Sequence, residues 1–121
     1  TDALGRKIDV VKLAMPNPIY MTEEEVEGLD LFDGEPTRDT VSPLSASYVN
    51  LYIGNKVVVM PAFGGENTEY DLRAKSEVQK VFPDREIIQI YARDILIGGG
   101  NVHCITHQIP SFVRKETPYD K

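Results

Sequence analysis

One cysteine, Cys104, and two histidines, His103 and His107, are all that this 121-residue chain holds of the residue types used most for soft-metal binding or thiol chemistry. A single thiol excludes an internal disulfide framework and suits a reducing compartment, so the expected location is cytoplasmic. A zinc site needs three or four ligands converging from several directions, whereas these three crowd into five consecutive residues; no metal is expected. Basic residues are also scarce: 13 Lys and Arg stand against 19 Asp and Glu, a formal net charge of -6. That balance argues against a nucleic-acid or anionic-membrane surface, which calls for clustered positive charge, and favours a cation or another protein as partner. No apolar run approaches the roughly 18 residues of a membrane span, and no internal repeat or low-complexity tract is present. The chain begins Thr1-Asp2 with neither an initiating Met nor a signal-like segment, which reads as a processed or cut product. Its length suits one domain over residues 1–121, with no internal boundary and a modest core.

Between the scarce residues lies a run of strand, loop and helix signals. Lys7 to Leu13 carries β-branched residues and reads as a strand, stopped by Pro16 and Pro18. From Thr22 to Asp39 eight acidic residues (Glu23, Glu24, Glu25, Glu27, Asp30, Asp33, Glu35, Asp39) face one basic residue, Arg38. Thr22 and Glu25 have capping-box spacing, so a short helix is expected in an otherwise irregular segment. The acidic run reads either as a negative lip that attracts a cation or as an ordinary solvated loop, and screening over about 10 Å favours the loop. Ser47 to Ile53, the Gly54-Asn55-Lys56 turn and Val57 to Met60 read as a hairpin, the valine run suiting a strand buried on both faces. Asn67 to Phe82 places Tyr70, Ala74, Val78, Val81 and Phe82 on one helical stripe, with a cap signal from Thr68 to Asp71, and Pro83 ends it. Glu86 to Tyr91 returns as a strand with Ile87, Ile88 and Ile90 for the core. The class is α+β, with a mixed sheet and a helix.

The chemistry is concentrated in Ile95 to Pro110, ILIGGGNVHCITHQIP. A short apolar strand (Ile95, Leu96, Ile97) is expected to run into Gly98, Gly99 and Gly100, which permit backbone torsions closed to other residues and close approach of another group. A phosphate cradle is disfavoured, because neither a Lys-Ser/Thr ending nor the dinucleotide-binding spacing follows the glycines. Two readings of Cys104 remain open on composition: a nucleophilic thiol delivered on a tight turn, and a buried structural cysteine, the commoner fate of a lone intracellular Cys. Asn101 is expected to fix the turn through its side chain. Arg93 and Asp94 read as a structural ion pair at a strand junction, with contact between Asp94 and a substrate as the sharper alternative. Ser47, Tyr48 and Asn50 are candidates to line the same pocket, although alternation alone does not say which face they occupy.

GGGNVHCITHQIP resembles the last motif of the agmatine deiminases, in the guanidino-group-modifying superfamily. The similarity extends through KLAMPNPIYMTEEEVEGLD, SPLSASYVNLYIGNKVVVMPAFG and VFPDREIIQIYARDILIGGG, covering nearly the whole chain. The resemblance implies the pentein fold, a fivefold αβ-propeller of which this chain is the C-terminal part, about one to two blades. It implies that Cys104 is the nucleophile and that no cofactor is used. The substrate would be agmatine, a small cationic guanidine, hydrolysed to N-carbamoylputrescine and ammonia on the route to putrescine and the polyamines. Gly99, Gly100, Asn101 and Asp94 would shape the pocket or touch substrate. The family's acid/base histidine and guanidinium-binding carboxylates lie in earlier blades, so the remaining blades are expected partners, a homo-oligomer stays open, and the isolated chain is expected to be inactive. His103 and His107 are the in-chain candidates for acid/base work; on a helix, His107 would sit within reach of Cys104. Position 103 carries His in the family without serving as its main base, and position 107 more usually carries Gln. Two alternatives remain: a truncated, non-catalytic αβ module with exposed edges that self-associates, and a related deiminase of peptidyl-arginine.

Overall fold

The computed structural model describes residues 1–35 and 37–111. Six elements follow in order: α1 (Glu23–Glu27), β1 (Tyr52–Ile53), β2 (Val57–Ala62), α2 (Thr68–Val81), β3 (Glu86–Tyr91) and α3 (Arg93–Ile97), with short 3-10 turns at Gly65–Asn67 and Val102–Ile105. The sheet has the order β1-β2-β3, antiparallel on one side of β2 and parallel on the other. A parallel return requires a crossover, and α2 supplies it. Among the described residues no helix is long and apolar enough to cross a membrane.

Strand alternation decides what each face of the sheet buries. Val58 and Met60 of β2 are fully buried and pair in register with Ile87 and Gln89 of β3, on the face that packs against Ala74 and Val78 of α2. The other face is only half covered: Val57 and Val59 are half-buried and Ile88 is exposed. The expectation that both faces of the valine run and all three isoleucines are buried therefore holds for one face, because the helix covers only that one. Val81, assigned to the buried stripe of α2, is also exposed. It lies on the rim of an apolar groove with Val11, Leu13, Val49 and Leu51.

Pro61 sits inside β2, where a missing N–H should break the ladder. Lys56 and Ala62 accept from Glu86 and Ala92 on the β3 side, whereas Val57 accepts from Gly54 on the β1 side. By alternation Pro61 faces β1, which has already ended, since its two residues pair only with Val58 and Val59. The ladder loses no bond there, and β2 runs two residues beyond Met60.

Two predicted strands are corrected. Lys7–Leu13 pairs with no strand among the described residues; Val10 is 81% exposed. A strand is stable only when a neighbour takes up its backbone groups, and no edge of this sheet is offered to it. The segment that follows lies along α2 instead, with Ala14 N donating to Glu77 Oε2 (2.9 Å) and Asn17 N to Asn67 Oδ1 (2.7 Å). Ser47 to Ile53 forms a strand only at Tyr52–Ile53, because Tyr48 and Val49 turn.

At the centre, the Asp71 carboxylate receives the Tyr48 hydroxyl (2.6 Å), Phe63 N (3.0 Å) and Gly64 N (2.8 Å). The Thr68–Asp71 cap signal is thus used differently: Asp71 holds the end of β2, while Thr68 Oγ1 donates to Gly65 O. Burial, then the hydrogen bond and charge of Asp71, push the Tyr48 phenol up from its ordinary pKa. Tyr48→Phe removes one donor from a carboxylate that keeps its two backbone amides. It is expected to cost about 1–3 kcal/mol, read as a lower midpoint in urea with an unchanged slope.

Candidate functional site

The expected strand at Ile95, Leu96 and Ile97 is one turn of helix, α3, which opens directly after β3. A three-residue apolar run fits either state, and here Leu96 N donates to Ala92 O (2.9 Å) while the Leu96 side chain is buried. α3 ends at Gly98. The chain then turns through Gly99, at φ +95°, to the fully buried Asn101 and Val102. Asn101 Oδ1 accepts from Val102 N (2.9 Å) and caps the 3-10 turn that carries Cys104. Its Nδ2 is buried without a partner among the described residues.

Cys104 is exposed. The glycine before the turn is a spatial requirement: a Cβ on Gly100 would lie 2.8 Å from Cys104 Cβ and 3.2 Å from Sγ. Asn50, far away in sequence, reaches the turn with both ends of its amide. Oδ1 accepts His103 N (2.8 Å) and Nδ2 lies 3.4 Å from Cys104 Sγ. The Asn50 donor, then the Asn101 backbone, hold the thiol below its ordinary pKa, against a smaller opposing effect of burial.

The histidines do not meet the sulfur as helical spacing would have them. The turn ends at Ile105 and Thr106 is extended (φ -112°, ψ 154°), so no helix carries His107 back over Cys104. His103 acts through its main chain, donating to Asn50 and accepting from Thr106 Oγ1 (2.9 Å). Both imidazoles are exposed, and neither makes a side-chain hydrogen bond among the described residues. Among those residues no group of His, Cys, Asp and Glu is arranged to hold a metal ion.

Arg93 does not pair with Asp94. Its guanidinium forks onto Glu25 of α1 (Nε–Oε1 2.7 Å, Nη2–Oε2 2.9 Å) and donates to Tyr20 O, tying the acidic segment to α3. Asp94 is exposed in the first turn of α3. Glu25 also completes the expected capping box with Thr22. The acidic segment brings Arg38 against Gly99, and a cavity of about 300 Å³ beside Gly98 is lined by Asp30, Glu35, Arg38 and Ile97.

The model of the Porphyromonas-type peptidyl-arginine deiminases matches residues 1–110. The chain belongs to that family. A Latilactobacillus sakei protein is 50% identical over 111 residues, 92% of this chain and 30% of that protein. The agmatine deiminase of Pseudomonas aeruginosa is 44% identical over 110 residues, 91% of this chain and 29% of that enzyme. In structure, the chain superposes on the agmatine deiminase of Enterococcus faecalis with a TM-score of 0.77 at 36% identity, covering 91% of this chain and 29% of that one. The chain thus spans about 30% of the length of the curated relatives it matches. The glycine run and Cys104 stand in one motif of the sequence; Asn50 is a pocket-lining candidate from the sequence, but its bond to that motif joins segments 54 residues apart and no local pattern gives it.

Two outcomes follow. The Arg93 hydrogen bonds, then the Thr22 amide, lower the Glu25 carboxyl from its ordinary 4.5 to about 2. A depressed carboxyl adds stability above its unfolded value that is lost as pH falls through the folded one, here between about 4.5 and about 2. Glu25→Gln should therefore destabilise by about 1 kcal/mol at neutral pH, a modest figure because the pair is partly exposed, with the gap closing toward pH 2 in denaturant titrations. Gly100→Ala drives a methyl group onto Cys104 and should cost about 1–3 kcal/mol in thermal unfolding, with a changed rate of thiol alkylation.

Proposed function

We propose that this chain is the nucleophile-bearing C-terminal portion of an agmatine deiminase. The β2–α2–β3 unit would be one blade of a fivefold αβ-propeller, with Lys7–Leu13 belonging to the preceding blade. The observation that carries the reading is the exposed Cys104, held on a capped turn and hydrogen-bonded by Asn50, within a chain 44% identical to an enzyme named for that activity. The exposed apolar side chains of Ile8, Val10 and Val11 are consistent with a surface that the remaining blades cover. The protein is placed in the cytoplasm, where a lone thiol stays reduced.

In this mechanism the Cys104 thiolate attacks the guanidinium carbon of agmatine and forms a C–S bond. The tetrahedral adduct breaks a C–N bond and releases ammonia, which takes up a proton as it leaves. The resulting amidino-thioether is attacked by water; the C–S bond breaks, its electron pair returns to sulfur, and N-carbamoylputrescine departs. Each half needs a proton moved, to the departing nitrogen and then from water. His103 and His107 hold no position on the sulfur in the described residues, so we assign that work, and pairing of the guanidinium with carboxylates, to the remaining blades. Gly100 lets the sulfur approach the main chain, Gly99 makes the positive-φ turn against Arg38, and Asn101 holds the turn. A second reading, a deiminase of arginine in peptides, is favoured by the description of the family itself.

The test is release of ammonia and N-carbamoylputrescine from agmatine by the complete gene product, by the 121-residue chain and by Cys104→Ala, alongside an arginine-containing peptide. The complete product should turn over agmatine in preference to the peptide, and Cys104→Ala should lose at least about 10³-fold in kcat. Turnover by the short chain alone would overturn the assignment of acid/base work to other blades.

A further inference from the structure

Asn50 carries more than a packing role. A backbone N–H can only donate, so the amide atom facing His103 N must be the oxygen, and the NH2 group is thereby turned to Cys104 Sγ. The reverse contact, sulfur donating to Oδ1, is longer at 4.0 Å. The sulfur is therefore placed as an acceptor, the role in which a thiolate is stronger than a thiol. The amide itself is braced: Tyr48, two residues earlier, is buried with its hydroxyl on Asp71, and β1 begins two residues later.

We propose that Asn50 is a further functional residue of this centre, clamping the cysteine turn through His103 N and presenting an N–H donor to the Cys104 thiolate. The proposal rests on the reading of Cys104 as nucleophile. The donor serves both halves of the reaction, since the electron pair that leaves sulfur on attack returns to it when the C–S bond breaks. Other charged or titratable groups close to the turn are few. His103 and His107 lie on its own segment, Arg38 lies against Gly99, Tyr48 is committed to Asp71, and β2 (VVVMPA), which packs against the turn, brings none.

The experiment is the rate of iodoacetamide alkylation of Cys104 in the complete gene product, followed on the Cys104 peptide by mass spectrometry from about pH 5 to 10, a range that brackets ordinary thiols. Asn50→Asp is nearly isosteric, keeps an oxygen for His103 N and replaces the donor with a carboxylate. Its alkylation midpoint should move to higher pH, slowing the neutral-pH rate about tenfold while the high-pH plateau stays at the wild-type level; Asn50→Ala should slow it about threefold. Profiles that superpose on wild type, or a plateau that falls with the midpoint unmoved, would sink the donor role. A shifted midpoint in Asn50→Asp, with a wild-type complete product that leaves agmatine untouched, would uphold the donor role and refute the deiminase reading alone.

Discussion

The buried carboxylate of Asp71 is the constraint on which the rest of this structure depends. A carboxylate removed from water is costly unless its oxygens are hydrogen-bonded, and three donors converge on this one from two separate segments. Phe63 N and Gly64 N end β2 against the first turn of α2, and the Tyr48 hydroxyl ties the chain before β1 to the same point. Gln89 Nε2 of β3 donates to the Asp71 carbonyl at 2.7 Å, so β2, α2 and β3 meet at one residue. The apolar cluster around Met60, Val58 and Ala74 supplies most of the burial. The carboxylate sets the register in which that burial is achieved.

From Asp71 a chain of contacts leads to the sulfur. Tyr48 fixes the backbone two residues before Asn50, and Asn50 bonds both the main chain and the thiol of the cysteine turn. The turn is anchored separately by the buried Val102 and Asn101 and by α3, which Arg93 pins to the acidic segment through Glu25. Cys104 is thus exposed at its sulfur and supported behind it, the arrangement in which a reacting atom keeps its position without losing access. Among the described residues no acid/base group is in contact with the sulfur, and in the proposed reaction that division of labour makes the cysteine turn one contributor among several blades.

Legibility followed the range of the interaction. The capping box of Thr22 and Glu25, the helix over Thr68–Val81 and the strand over Glu86–Tyr91 are local patterns, and each stands where the sequence put it. Ile95 to Ile97 reads as a strand because three apolar residues carry no period, yet it lies in the single-turn helix Arg93–Ile97, and Lys7–Leu13 has strand composition but no paired neighbour among the described residues. Arg93 was assigned to its sequence neighbour Asp94, yet the planar fork found its match 68 residues earlier in Glu25. His107 was given helical proximity to Cys104, and one extended residue, Thr106, removed it. The glycines and Cys104 are legible as a unit; of the pocket candidates Ser47, Tyr48 and Asn50, alternation could not choose, and the fold turns Tyr48 to Asp71 and Asn50 to the sulfur.

By itself the sequence determined the α+β class, the capped start of α1, the glycine turn that Cys104 requires and the family to which the chain belongs, because spacing, torsional freedom and motif are properties of neighbours along the chain. The tertiary structure decided which face of β2 is buried, that Pro61 costs no ladder bond, that Asp71 and Tyr48 form the central bond and that Asn50 meets the sulfur. Those outcomes depend on which distant segments share a few ångströms of space, and hydrogen bonds and close packing fall away beyond that range.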